Sequence, residues 1–275
     1  MIRIVLLIIL ILVFASIVYG MAATNIVETS YQSDSTHPVD PNQIKPPECA
    51  TIFLTNLVTS SFGAVSDGND LILSDPGSTA NWSGGLGDDC IVGSDGDDIL
   101  NGDEGSDIIL GGEGSDRISG NDGSDTLYGQ SGNDILRGGL DNDTIHGGDG
   151  NDDLGGGQGL DTIYGGAGSD EIDGGQNEDT LYGDEGDDIL AGDQGFDLLY
   201  GGTGDDTLLG GKDNDTLYGD AGNDVINGNQ DDDILHGGED NDTLDGGQGK
   251  GYDECFGEAG TDIFDAKSCD LIVDP

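Results

Sequence analysis

A period of nine residues runs without slipping from Gly84 to Asp245, and it leaves this chain few ways to fold. Eighteen units stand back to back, and Gly opens every one of them, from Gly84 to Gly237. Asp holds the sixth place throughout: Asp89, Asp98, Asp107, Asp116, Asp125, Asp134, Asp143, Asp152, Asp161, Asp170, Asp179, Asp188, Asp197, Asp206, Asp215, Asp224, Asp233 and Asp242. Ile or Leu holds the eighth, from Ile91 to Leu244. The fourth is Gly except at Asp141, Asn177, Asp213, Asp231 and Asp240. Such a fixed short period marks stacked repeats, because no single unit can bury its apolar residue alone.

Each unit has two halves. Gly-Gly-x-Gly-x-Asp is a turn whose glycines admit backbone angles that other residues avoid. The remainder, x-Ile/Leu-x, predicts a three-residue strand with its middle side chain pointing inward. Two units then make one coil, and the expected fold is an all-β solenoid whose coils stack about 4.8 Å apart. Stacking brings the acidic loops together, where rows of carboxylates repel one another. A hard divalent cation taking six to eight oxygen ligands relieves this, and calcium suits such a cage better than magnesium, which prefers tight octahedral geometry and retained water. The apolar file supplies roughly 1.5–3 kcal/mol per buried Ile or Leu. Ordering the backbone costs about 1–2 kcal/mol per residue. Metal binding must therefore supply part of the folding energy.

Charge points the same way. The 275 residues hold 57 acidic and 7 basic side chains, a formal net charge of −50. Phosphate binding needs a basic footprint, so nucleic acid is excluded as a partner. Acidity of this degree with low hydrophobicity ordinarily predicts disorder. A strict period has no place in a disordered tail, so the carboxylates are read as cation ligands.

Ile4 to Val18 is almost wholly apolar, preceded by Arg3 and followed by small residues through Ala23. Residues 1–23 read as a signal peptide or a retained membrane anchor, and either places the rest outside the cytoplasm. Residues 24–48, with Pro38, Pro41, Pro46 and Pro47, read as a linker. Residues 49–83 carry an apolar cluster and a degraded repeat around Asp67–Ile72, and read as an N-terminal cap. The roll spans 84–265, closing with an eleven-residue variant (Gly246–Phe256) and one further unit, and 266–275 form a tail. Cys49, Cys90, Cys255 and Cys269 lack paired zinc spacing. Three connectivities are open to them. Their placement towards the two ends of the array favours Cys49–Cys90 and Cys255–Cys269.

The units resemble the repeats-in-toxin (RTX, haemolysin-type) calcium-binding nonapeptide G-G-x-G-x-D-x-U-x. Gly111-Gly112-Glu113-Gly114-Ser115-Asp116-Arg117-Ile118-Ser119 and Gly201-Gly202-Thr203-Gly204-Asp205-Asp206-Thr207-Leu208-Leu209 match every fixed position. The resemblance implies a right-handed parallel β-roll of two units per coil with short caps. It also implies calcium held between the loops of units i and i+2, by the sixth-position Asp and by loop carbonyls. Two columns of nine loops offer about sixteen such sites. Loops with Asp or Asn at the fourth place depart from the pattern and are expected to be strained or differently liganded. Many family members are exported through a C-terminal signal and carry a toxin, protease or lipase domain; here an apolar N-terminus is present and the segment before the array is too short for one. HExxH and GxSxG do not occur, and His37, His146 and His236 stand far apart, so a non-enzymatic role is expected.

A second pattern has a period of eighteen. Alternate units end in Val92, Leu110, Tyr128, His146, Tyr164, Tyr182, Tyr200, Tyr218 and His236, often with Thr at the seventh place: Thr126, Thr144, Thr162, Thr180 and Thr216. Both places face outward, so one sheet should display a Thr/Tyr ladder. Good strand residues stacked on like neighbours explain it blandly. A docking face for glycan, a cell-surface partner or another copy of the chain explains it functionally. RTX-like ice binders display Thr and Asn from their loops; Thr203 is the only Thr at the third loop place here, which speaks against that role.

Overall fold

The structure is a computed structural model and describes residues 46–52, 56–59, 65–75, 77, 79–248, 251–265 and 267–274. The leader read over 1–23 and residues 24–45 of the linker lie outside these.

Successive strands alternate between two sheets, so the chain winds as a parallel β-solenoid. Among the described residues, one sheet has 13 strands, running from Asn56–Thr59 and Asp70–Leu73 through Thr162–Ala167 to Cys269–Val273. The other has 11, from Asn81–Leu86 to Ile263–Phe264. All neighbours pair in parallel, and within the array the register steps by one coil: Thr144 opposes Thr162, Ile145 opposes Ile163 and His146 opposes Tyr164. Two nonapeptide units thus form each turn.

The strands are longer than the sequence suggests. Most contain six residues, such as Thr162–Ala167, which joins positions seven to nine of one unit to positions one to three of the next. The Gly-Gly pair continues the ladder because nothing but backbone is present to obstruct it, as in the pairing of Gly148 with Gly166. The turn proper shrinks to positions four to six.

The space between the sheets holds one file of side chains. Val58 and Ile72 begin it, Ile91 to Leu244 continue it, and Cys255 and Cys269 end it, nearly all without solvent contact. Disulfides join Cys49 to Cys90 and Cys255 to Cys269, with Cα–Cα separations of 5.9 and 5.8 Å. A short 3-10 turn, Glu48–Thr51, carries Cys49 onto the outer face of the first sheet.

Position four shows why the turn tolerates little. Gly186 has φ +136°, and a Cβ there would overlap the carbonyl oxygen of Gly168 in the preceding coil. Its N–H donates to the Thr203 carbonyl at 2.8 Å, tying its loop to the following one. Gly186→Ala is expected to destabilise the calcium-loaded roll by about 1–3 kcal/mol, the usual range for overpacking. Urea unfolding in saturating calcium measures this, and a midpoint equal to that of the parent chain would contradict the stacking.

Candidate metal centre

The sixth-position aspartates form two columns, one along each edge of the roll, and each is almost completely buried. Their two carboxylate oxygens have different surroundings. Oδ1 accepts the backbone N–H of the corresponding residue one coil earlier: Asp161 donates to Asp179, Asp179 to Asp197 and Asp197 to Asp215, at 2.8–2.9 Å. The pattern holds for all eighteen, with Ala80 as donor to Asp98, and it continues to Asp253 and Asp262. Position five repeats the device in the opposite direction. There Asn133 and Asn151 accept the N–H groups of Asn151 and Ser169 in the following coil. Loop amides that would otherwise be orphaned by stacking are thus met by side chains.

Oδ2 has no such partner. In seventeen of the eighteen repeat aspartates, and in Asp262, it is buried and meets no hydrogen-bond donor. Beside it stands the opening Gly of the same unit. A Cβ on Gly111 would overlap Asp116 Oδ2 and press on the Gly129 carbonyl oxygen of the next coil, and the arrangement recurs along both columns. Nearly every unit therefore brings a carboxylate oxygen and a carbonyl oxygen to the same side-chain-free spot. Two such acceptors without a donor repel, and a buried polar atom left unpaired is costly. A hard cation lying among oxygens removes both penalties. Among the described residues no three Asp, Glu, His or Cys side chains gather as a metal cluster, so each loop offers one carboxylate with carbonyls around it.

Burial leaves its mark on acidity. Loss of solvent, opposed by the backbone N–H and reinforced by stacked aspartates, pushes Asp89, Asp143, Asp179, Asp215 and Asp233 up to about 8. The same causes bring Asp116, Asp152, Asp188 and Asp224 to about 7. Burial again leads in raising Asp107, Asp161, Asp197, Asp206 and Asp242 to about 6. Asp125 is raised to about 7, and Asp134 and Asp170 are raised as well. Without a cation, these carboxyls hold their protons to a higher pH than a solvated carboxyl does, because burial disfavours the charged form.

One repeat aspartate departs from the pattern. Asp98 Oδ2 accepts from the Ser94 N–H at 2.6 Å and from its hydroxyl at 3.0 Å, because Ser replaces Gly at the second place of that unit. Asp98 is therefore the member of the expected set with no bare oxygen. Asp262 was not in that set; its signal was the sixth place of the final unit, Gly257–Asp265, beyond the eleven-residue variant. The non-glycine residues at position four take left-handed backbone, with φ between 68° and 78° for Asp141, Asn177, Asp213, Asp231 and Asp240. The loop-to-loop bond reaching into such a coil is stretched. Gly123 to Leu140, Gly159 to Gln176, Gly195 to Lys212 and Gly222 to Glu239 measure 3.2–3.4 Å, whereas Gly105 to Asp122 and Gly186 to Thr203 measure 2.8–2.9 Å. These loops thus differ from the glycine loops in backbone angle and in spacing.

Repeated turns of this kind define a class of β-solenoid built around buried acidic loops. The RTX calcium-binding nonapeptide repeat (four copies) matches residues 83–118, 110–145, 119–154, 129–163, 146–181, 155–190, 182–217 and 218–253. The chain belongs to that family of calcium-binding repeat proteins. Comparison with curated proteins returned no match. Among solved structures, a hyperactive, Ca2+-dependent, beta-helical antifreeze protein from an Antarctic bacterium has the same fold, with TM-score 0.54 and 22% identity over 77% of this chain and 79% of that one.

The raised acidities carry a sign. A carboxyl whose folded value lies above its ordinary 3.8 stabilises the fold while it is protonated. That contribution is complete below about pH 4 and is lost as pH rises through about 6 to 8. Stripped of calcium by dialysis, the chain should show β signal by circular dichroism near pH 4–5 and lose it across that window. A metal-free chain folded equally well at pH 5 and pH 9 would contradict the burial.

Proposed function

We propose that this chain is an extracellular calcium-binding module that folds when calcium enters its loops, and that it serves a structural or adhesive role at a surface rather than a catalytic one. The observation that carries the reading is the recurring bare Oδ2. Seventeen of the expected aspartates present it, from Asp89 and Asp107 through Asp242 with Asp98 left out, and Asp262 adds another. Their Oδ2 atoms and the neighbouring loop carbonyls would hold the ions. Calcium supplies positive charge where the column would otherwise require protons. The protein's own share is to hold Oδ1 fixed through the amide of the preceding coil, to keep the cradle clear through the opening Gly, and to exclude water through stacking.

The apolar leader, the two disulfides and the acidic composition support a location outside the cytoplasm, where thiols oxidise and calcium is plentiful. On this reading residues 49–83 cap the open N-terminal end and residues 84–265 form the working roll. Attachment would run through the outer face of the first sheet, with Tyr128, Tyr164, Tyr182, Tyr200 and Tyr218. The antifreeze protein lends its fold but no further support, since the third loop places here hold Thr only at Thr203.

Extracellular calcium modules typically bind at about 10⁻⁴–10⁻³ M. At neutral pH the chain should therefore lack β signal in chelator and gain it cooperatively at roughly millimolar calcium. Asp179→Asn, which keeps the Oδ1 acceptor and removes the charge, should raise the calcium midpoint, and Asp98→Asn should leave it nearly unchanged. Circular dichroism during calcium titration reads both. A β signal indifferent to calcium would end the proposal.

A further inference from the structure

Each carboxylate column begins with a member unlike the rest. Asp70 heads the column that continues through Asp89, Asp107 and Asp125, since the Asp70 amide donates to Asp89 Oδ1 and the chain of bonds runs on from there. Asp98 heads the other, which continues through Asp116 and Asp134. Both heads are buried. A serine four residues upstream closes each of them. Ser66 donates its N–H to Asp70 Oδ2 at 2.7 Å and its hydroxyl to Oδ1 at 2.8 Å. Ser94 donates its N–H to Asp98 Oδ2 at 2.6 Å, and its hydroxyl lies 3.0 Å from both oxygens.

The two stretches share one pattern, Ser66-Asp67-Gly68-Asn69-Asp70 and Ser94-Asp95-Gly96-Asp97-Asp98. In the array, Ser stands at the second place in the Ser94 unit alone. Backbone angle shows what it changes. The other seventeen units, from Gly85 to Gly238, all have left-handed backbone at that place, with φ between 71° and 127°. Ser66 and Ser94 do not, and their N–H groups turn onto the carboxylate. A carboxylate that accepts an N–H and a hydroxyl is stabilised as an anion without a metal ion.

Apolar packing is doubled at the same end. Between the sheets, Ile72, Ala80, Ile91 and Leu100 meet Trp82. A second buried cluster lies outside the first sheet, where Leu71, Leu73, Cys90 and Val92 pack with Cys49 and Ile52, and the Cys49–Cys90 disulfide holds it. Small units with a limited core commonly depend on such a staple. Polar contacts join the layers: the Trp82 indole N–H donates to the Ser74 hydroxyl at 3.2 Å, and that hydroxyl donates to the Val92 carbonyl at 2.8 Å. Of Asp70, Asp89 and Asp98, Asp89 alone presents a bare Oδ2, whereas each coil from Asp107 to Asp242 has two.

Resting on the calcium-dependent folding proposed above, we infer that the described residues between Cys49 and Leu100 are a metal-free seed: Ser66 and Ser94 take the place of a cation at Asp70 and Asp98, and this end stays ordered when calcium is withdrawn. The calcium columns then begin at Asp89 and Asp116. Returning calcium finds one end already stacked, and neighbouring coils add to it.

Trp82 is the only tryptophan in the chain, so its fluorescence reports this end alone. Asp98 holds the Ala80 amide two residues from it, which ties the signal to the Ser94 loop. The full chain, disulfides intact, is compared at neutral pH in calcium and in chelator, with acrylamide quenching of Trp82 read beside circular dichroism. Quenching should change by less than about twofold on calcium removal while the array's β signal is lost. Ser94→Gly, which restores an ordinary loop, should raise quenching in chelator by about threefold and return to the parent value in calcium, because Asp98 then needs the ion. That rescue separates loss of the serine from misfolding. A parent whose Trp82 is as exposed in chelator as in urea overturns the seed and leaves the calcium-dependent array standing. A Ser94→Gly chain that keeps Trp82 protected in chelator overturns the part given to the serine. A β signal indifferent to calcium overturns the calcium reading itself, and the seed with it.

Discussion

The fold rests on a hydrogen bond from the backbone of one coil to a buried carboxylate of the next. Each repeat Asp spends one oxygen on a backbone N–H of the coil before it and holds the other in a space where no donor reaches. The first contact fixes loop spacing. The second creates a need for positive charge that protons meet in acid and calcium would meet at neutral pH. Glycine at the opening place, the six-residue strands and the single file of Ile and Leu all serve to bring that carboxylate to the same point in every coil. Removing the cation leaves columns of like charge in a low-dielectric setting, which the thin core cannot offset.

Much of this was legible in the sequence because the period is strict. Eighteen-residue register, the inward Ile/Leu file and the identity of the buried aspartates follow from counting, and parallel pairing from the resemblance to the RTX nonapeptide. Strand length did not, since a Gly-Gly pair reads as a turn by propensity yet here extends the ladder, as at Gly165-Gly166. Asp98 was also opaque. Its unit has the required Asp, and only the neighbouring Ser94, placed by the fold to donate twice, changes what its second oxygen can do. Asp262 was missed because the eleven-residue variant breaks the count, whereas in space its Oδ1 takes the Asp242 amide as every other unit does.

The outer faces obey a looser rule than the loops. The repeat fixes what lies inside and leaves positions seven and nine free to vary. On the first sheet they vary from fully apolar, where Cys49 and Ile52 cover them, to a stacked aromatic row beside Thr. On the second they admit Arg137 and Asp153, which form a surface ion pair at 2.6 Å. The same backbone thus carries two different surfaces.

The Asp-to-Asp bond has a direction. An amide always donates forward, to the carboxylate of the coil that follows. A finished coil therefore presents its C-terminal neighbour with an amide already in position, while the coil arriving brings the acceptor. Stacked units can begin to order at any coil and spread to their neighbours, so the bond gives the two directions of spread different chemistry: towards the C-terminus an ordered coil offers the Asp amide, and towards the N-terminus it offers the carboxylate that accepts one.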